Sequence, residues 1–373
     1  MIYLDYAANT PVDEQVIDIF TDVTRKFIAN PNSTHKLGEL ALERLKESSR
    51  NIAKLLKVSE NEVIFTSGAS ESNNTAIKGI ANYYKKYGKH IITTYLEHSS
   101  VNGAIAYLQN NGFEIDYVEI LENGLIDLEN LKGLLRDDTI LVSICYVDSE
   151  VGITQQINKL GELIKNYPHC CFHVDATQAV GKIPVNFENV DLVTFAPHKF
   201  YGLNGCGVLI KKEKIILEPL IHGGISTSAF RSGTPALGMI VAAEKALTLS
   251  YDNLEHRYHY VKTLNKKLKD QLQKYSNIQI NSNDNSVPFI LNISMSKVNT
   301  EQFKMAMEDY EIYVSTKSAC CAPNTASRPV YALTKDRKRA LSTLRISLSH
   351  LTDESDIDVF LEVFDKCYKK FVK

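Results

Sequence analysis

A lysine at the mouth of a buried sheet is the first residue placed to do chemistry. The stretch Asp191-Leu192-Val193-Thr194-Phe195-Ala196-Pro197-His198-Lys199 is an apolar strand that ends in His198 and Lys199. Desolvation strips the charge from a lysine so placed and makes it nucleophilic, as Schiff-base lysines must be. A surface lysine with its stem laid along apolar atoms would look the same in one letter. A second apolar strand, Cys171-Phe172-His173-Val174, ends in Asp175. An acid there caps a helix, binds a metal, or pairs with the protonated ring nitrogen of an electron-withdrawing cofactor. The third segment, Val63-Ile64-Phe65-Thr66-Ser67-Gly68-Ala69-Ser70, runs from a strand through a small-residue turn into a helix. Backbone N–H groups and the positive end of the helix dipole then converge on one point, which suits a phosphate. An ordinary strand–helix connection also uses such a turn. Gly202, Gly205 and Gly207 are spaced as G-x-x-G-x-G but lack the strand-to-helix order of a dinucleotide fingerprint, so that reading is rejected.

These three segments need a scaffold, and the pattern supplies one. Strands are expected at 63–66, 90–95, 114–120, 139–146, 170–174, 191–195 and 207–210, with helices at 71–87, up to 109, 127–135 and 157–166 between them. Alternation of this kind makes an α/β architecture with a mostly parallel sheet of seven strands, whose ligand sites lie past the carboxyl ends. A long helical stretch is expected from about Ala236 to Lys274. The rest reads as a smaller α+β unit: strands at 289–294, 312–315 and 343–348, and a helix at 300–310. A last helix is expected to be N-capped by Thr352, with Ile357, Phe360, Phe364, Cys367, Tyr368 and Phe371 on its apolar face. The expected division is a large domain over 15–250 and a small one made of 1–14 and 251–373.

Composition bounds the function classes. The 373 residues are 44% hydrophobic and 23% charged, too long for one ordinary core. A formal net charge of -2 gives no electrostatic reason for nucleic acid or an anionic membrane as partner. No basic leader, apolar span or disulfide framework is visible, and the seven scattered cysteines suit a reducing cytoplasm. His256 and His259 sit one helical turn apart, but no third metal ligand is visible, and no metal is expected. The charge run Lys335-Asp336-Arg337-Lys338-Arg339 reads as plain surface.

Turn, acid and His-Lys occur in that order at successive strand ends, and together they are far more specific than any one alone. Here the chain resembles the class V aminotransferase family of fold-type I pyridoxal 5'-phosphate (PLP) enzymes. More narrowly, it resembles the NifS/IscS group of cysteine desulfurases. The resemblance also rests on Leu4-Asp5-Tyr6-Ala7-Ala8, Asn30-Pro31-Asn32-Ser33, Glu97-His98, Arg231-Ser232-Gly233-Thr234, Ser318-Ala319-Cys320 and Arg345-Ile346-Ser347. It implies that Lys199 holds the cofactor covalently, Asp175 pairs with its ring nitrogen, His98 stacks on the ring and serves proton transfer, and Gln178 reaches the ring oxygen. Ala69, Ser70 and His198 would hold the phosphate, and Thr234 would reach the phosphate of the other subunit of a homodimer. Arg345 would clamp the substrate carboxylate with its fork, and Asn30 would sit near the substrate.

Cys320 decides which reaction the resemblance implies. It lies in a long run of small and polar residues, 314–327, that reads as a mobile loop, where a thiol is exposed enough to react. In the resembling group this cysteine attacks the substrate sulfur, giving a persulfide on Cys320 and alanine from L-cysteine. The sulfur would pass to an acceptor protein in iron–sulfur assembly or tRNA thiolation. Cys321 is expected to be a bystander. Selenocysteine lyase, a true aminotransferase, or a degenerate scaffold that binds PLP poorly are the competing readings. Two positions depart from the pattern. Asp148-Ser149-Glu150 stands where the family usually has Asn-Asn-Glu, so an acceptor replaces a donor toward the ring oxygen. Ala196 stands where a phosphate donor is usual. Both changes predict weaker cofactor binding or an altered pKa of the lysine–cofactor linkage. Longer members carry a C-terminal extension that docks a scaffold partner, whereas this chain ends soon after its last helix, which puts that mode of docking in question.

Overall fold

The computed structural model describes residues 1–224, 226, 228–317 and 325–371. Its seven-stranded sheet has the spatial order Val63–Thr66, Gly207–Lys211, Leu192–Phe195, Cys171–Asp175, Thr139–Cys145, His90–Thr93, Glu114–Tyr117. All neighbours are parallel except those of Gly207–Lys211, which runs against both of its partners. Two reversals cancel, so Val63–Thr66 points the same way as the parallel strands. Its Ser67-Gly68 turn therefore opens at the same edge as Asp175 and Lys199. The interior strand Thr139–Cys145 is buried along its whole length, as a parallel strand covered by helices on both faces must be.

Helices Ala69–Tyr84 and Ser99–Asn110 pack together against the sheet. Two helices in the N-terminal region that the pattern left unassigned, Glu14–Lys26 and Lys36–Leu56, pack on Leu237–Asp252. Capping signals were there to be read: Asp13 accepts from the Gln15 N–H, and His35 from Gly38. A second, antiparallel sheet joins Thr343–Ser347, Ile290–Met295 and Ile278–Ile280. Ile2–Tyr3 pairs in parallel with Ile312–Tyr313, and Asp5 bridges to Ser347.

The structure sharpens one sequence expectation and corrects another. The helical stretch expected over 236–274 holds two helices, Leu237–Asp252 and Leu254–Leu272. Asn253, at φ -120° and ψ 13°, ends the first and starts the second. Thr352 does not start the last helix, which spans Glu354–Phe371. The Thr352 hydroxyl instead accepts the Ser349 N–H at 3.2 Å. The apolar face of that helix is as expected, with Ile357, Phe360, Phe364 and Cys367 buried.

Candidate active site

A cavity of about 390 Å³ opens at the carboxyl edge of the large sheet. Lys199, Asp175, His98, Gln178, Arg345 and the 67–70 turn all line it. Residues called from five separate stretches of sequence thus meet in one place. Ala69, Ser70, Asp148 and His198 line it as well.

Each side chain is held by the element that delivers it. Lys199 ends a short 3₁₀ turn, Pro197–Lys199, directly after its strand. Its Nζ donates to the backbone carbonyls of Ala7 (3.0 Å) and Ala8 (2.5 Å). Two residues on, Tyr201 takes a left-handed backbone (φ 68°), a cost that its Thr10 and Ser349 hydrogen bonds offset. Asp175 is the last residue of its strand, and both of its oxygens are supplied with donors. Oδ1 accepts the Thr177 N–H (3.0 Å) and Oδ2 accepts Asn73 Nδ2 (2.8 Å). Asn73 also donates to Ser100 Oγ (2.9 Å), so one amide ties helix Ala69–Tyr84 to the acid and to the His98 turn. That role was not read from the sequence, although Asn73 follows the quoted run by only three residues.

His98 is the N-cap of helix Ser99–Asn110 and its Nδ1 accepts the Ser100 N–H at 3.2 Å. The hydrogen of the neutral ring then sits on Nε2. Burial, with Lys199 nearby, lowers its pKa and favours that neutral form. His198 is driven further, down to about 4, by burial and by Lys199, Lys182 and His98. Glu97 is buried, and desolvation raises its pKa to about 8, so it is neutral at pH 7. Its Oε1 accepts from Thr94 and from the Cys145 N–H, which pins one cavity wall.

The 67–70 turn is shaped by close backbone approach. A Cβ on Gly207 would lie 2.4 Å from the Gly68 carbonyl carbon, so only glycine fits beside the turn. Glu71 accepts the Ser67 N–H (2.7 Å) and pairs with Arg231 (2.9 Å). The N–H groups of the first helical turn have no carbonyl one turn back to reach, so they face the cavity edge as donors.

Asp148 does not point a donor or a free charge at the cavity. Oδ1 accepts the N–H groups of Glu150 (2.9 Å) and Val151 (2.7 Å), and Oδ2 accepts that of Ile153 (2.7 Å). Burial raises its pKa to about 6, against the pull of those three donors. The acid is explained by its own turn, which presents the Ser149 carbonyl to Arg345 Nη1 (2.7 Å). Arg345 is fully buried on strand Thr343–Ser347 and its Nη2 donates to Asp5 Oδ1 (2.7 Å). Its Nε has no partner among the described residues, which leaves donor capacity in the cavity wall.

Thr234 and Asn30 do not line this cavity. Asn30 Nδ2 donates to Thr234 Oγ1 at 3.4 Å, and Thr234 lines a larger groove of about 730 Å³. That groove also reaches Ser67, the first residue of the phosphate-type turn. Cys320 and Cys321 lie outside the described residues. Among the described residues no three His, Cys, Asp or Glu side chains gather as metal ligands, and no helix is long and apolar enough to cross a membrane.

The pattern of the family Aminotransferase class-V matches residues 2–360. The chain belongs to that family. The cysteine desulfurase IscS of Neisseria gonorrhoeae is 39% identical over 370 residues, covering 97% of this chain and 91% of that protein. A solved structure described as a NifS-like protein superposes with a TM-score of 0.92 at 32% identity, over 99% of both chains. Another, SspA in complex with cysteine, gives 0.81 at 31% identity, over 93% of this chain and 99% of that one. The fold is that of fold-type I PLP enzymes, and PLP is the cofactor. The cavity fits this group: an amine at Lys199, a carboxylate at Asp175, an imidazole wall at His98 and N–H donors at a helix start.

Proposed function

We propose that this protein is a PLP-dependent cysteine desulfurase, which converts L-cysteine to L-alanine and passes the sulfur on to an acceptor. The observation that carries the site assignment is the convergence of Lys199, Asp175, His98 and Arg345 on one cavity. When bound, PLP draws electrons away from the substrate α-carbon. Lys199 holds the cofactor and Asp175 keeps its ring nitrogen protonated. His98, a wall of the cavity, would stack on the cofactor ring, and its Nε2 carries the hydrogen of the neutral imidazole. Gln178 would reach the ring oxygen; Asp148, which lines the same cavity, spends its acceptors on its own turn. The N–H groups of Ala69 and Ser70, with His198, hold the phosphate, and no side-chain donor is available from Ala196. Arg345 binds the substrate carboxylate, oriented by Asp5 and the Ser149 carbonyl.

Cys320 takes the sulfur. Its thiolate forms an S–S bond to the substrate sulfur as the Cβ–S bond breaks, and the bonding electrons and a proton stay with the three-carbon product. Residues 15–250 form the cofactor domain, and 1–14 with 251–373 the smaller one. The chain works as a cytoplasmic homodimer in which Thr234 reaches the partner subunit's phosphate site and Asn30 approaches the substrate. A scaffold or a tRNA-thiolation enzyme receives the sulfur.

Mass spectrometry after L-cysteine treatment tests the assignment. One labile extra sulfur on Cys320, with alanine released, is the expected result. The adduct on Cys321 would overturn the choice of nucleophile. Turnover of another amino acid with none of L-cysteine would overturn the desulfurase reading.

A further inference from the structure

Behind the cavity lies a buried cation that the roles above leave unused. Lys182 is 9% exposed and follows Gln178 by one helical-type turn. Its Nζ donates to Gln178 Oε1 at 2.7 Å. The other end of that amide, Nε2, donates to the Ala7 carbonyl at 2.9 Å. The same carbonyl accepts from Lys199 Nζ at 3.0 Å. A continuous chain therefore runs from Lys182 through Gln178 and Ala7 to the cofactor lysine.

We propose that Lys182 is a positioning residue of this site, which fixes the orientation of the Gln178 amide and, when charged, lowers the proton affinity of the Lys199 nitrogen. The inference rests on the cofactor reading above. An amide can be turned end for end at almost no change in shape, so only its partners decide which end is the donor. A lysine ammonium offers donors alone. Turning the Gln178 amide over would set NH₂ against the ammonium and oxygen against the Ala7 carbonyl, losing two buried hydrogen bonds at once. Lys182 thus commits Nε2 to the Ala7 side, where the cavity begins.

The charge argument follows from the surroundings. Two cations face Lys182 from other elements, Lys199 from the turn after strand Leu192–Phe195 and Arg345 from strand Thr343–Ser347, while His198, on the same turn as Lys199, is held neutral by its own lowered pKa. On its far side a small void is lined by Tyr6, Tyr201, Arg257 and His350, none of them an acid. Among the described residues no carboxylate is recorded in an ion pair with Lys182, and burial with the charges of Lys199 and Arg345 lowers its pKa to about 7. Repulsion is mutual, so a proton on Lys182 disfavours one on Lys199.

The test is a pH titration of the visible band of the PLP-loaded protein, with PLP affinity measured alongside. Lys182→Met and Lys182→Gln should move the midpoint up by about 0.5 pH unit, roughly threefold in proton affinity. Lys182→Arg, always charged, should leave it in place or move it down. Lys182→Gln keeps a donor toward Gln178 and should bind PLP nearly as the parent does, whereas Lys182→Met should bind it several-fold more weakly. Should the methionine variant fail to fold, the glutamine and arginine variants carry the comparison. Midpoints that do not move, or that move the same way in all variants, overturn the proposal. A parent protein without a visible band after PLP is added would overturn the cofactor reading itself.

Discussion

At the scale of single residues, Asp148 shows how a departure from a family pattern can be misread. From sequence it is a charge where a donor is usual. In the structure both oxygens close the 148–153 turn through three backbone N–H groups. Burial nonetheless raises its pKa from 3.8 to about 6. Its proton is held more tightly in the folded chain than in the unfolded one. The stability this contributes is present below pH 3.8 and is lost as pH rises through about 6. Asp148→Asn removes that dependence. The stability of the variant relative to the parent should therefore rise by about 1 kcal/mol between pH 5 and pH 8. Urea unfolding at the two pH values measures this, and parallel behaviour of the two proteins would show that Asp148 does not titrate in this range. Lys199, Asp175 and the 67–70 turn were legible because each follows or ends a strand in a recognisable run. Asn73, Lys182 and Asp5 were not given roles, because their partners Asp175, Gln178 and Arg345 are set by burial and by contacts up to 340 residues apart.

At the scale of elements, period and composition located every strand of the large sheet, because parallel strands buried on both faces are short apolar runs bounded by turns. Boundaries and breaks were weaker. Nothing in the helical period of 236–274 marks the break at Asn253, which is made by backbone angles and not by a proline or glycine. Strand direction was also hidden: only the pairing shows that Gly207–Lys211 runs backwards and so lets Val63–Thr66 deliver its turn to the shared edge. That delivery depends on the contact of Gly207 with Gly68. Gly207→Ala puts a methyl 2.4 Å from the Gly68 carbonyl carbon, and the turn must move. It should cost about 1–3 kcal/mol and weaken PLP binding at least tenfold. Gly68→Ala meets nothing within 4 Å and has an extended backbone at φ 161°, so it should do little. Thermal unfolding and a PLP titration of both variants decide the matter; equal effects would remove the turn from the phosphate assignment.

At the scale of the whole molecule, the N-terminal segment joins the two sheets. Ile2–Tyr3 adds to Ile312–Tyr313, and the Ser347 hydroxyl takes the Ala7 N–H (2.9 Å). Asp5 holds Arg345, and the Ala7 and Ala8 carbonyls hold Lys199. The residue that would bind substrate and the residue that would bind cofactor are thus indexed to each other by four consecutive positions, 5–8. Asp5 is the member whose loss separates indexing from folding. Its carboxylate is partly exposed, whereas the guanidinium it pairs with is 1% exposed. Asp5→Ala leaves that guanidinium with the Ser149 carbonyl as its recorded partner among the described residues, an uncompensated buried charge. A loss of about 2 kcal/mol is expected, below the fully buried case because water reaches Asp5. Freed of its carboxylate, Arg345 no longer sits in the plane that meets a substrate carboxylate, so KM for L-cysteine should rise by more than kcat falls. Asp5→Asn, which keeps an acceptor, should recover most of the KM. Steady-state kinetics on the two variants measure the split, and an unchanged KM in Asp5→Ala would mean that Arg345 is oriented by its own strand and that the N-terminal segment serves the fold alone.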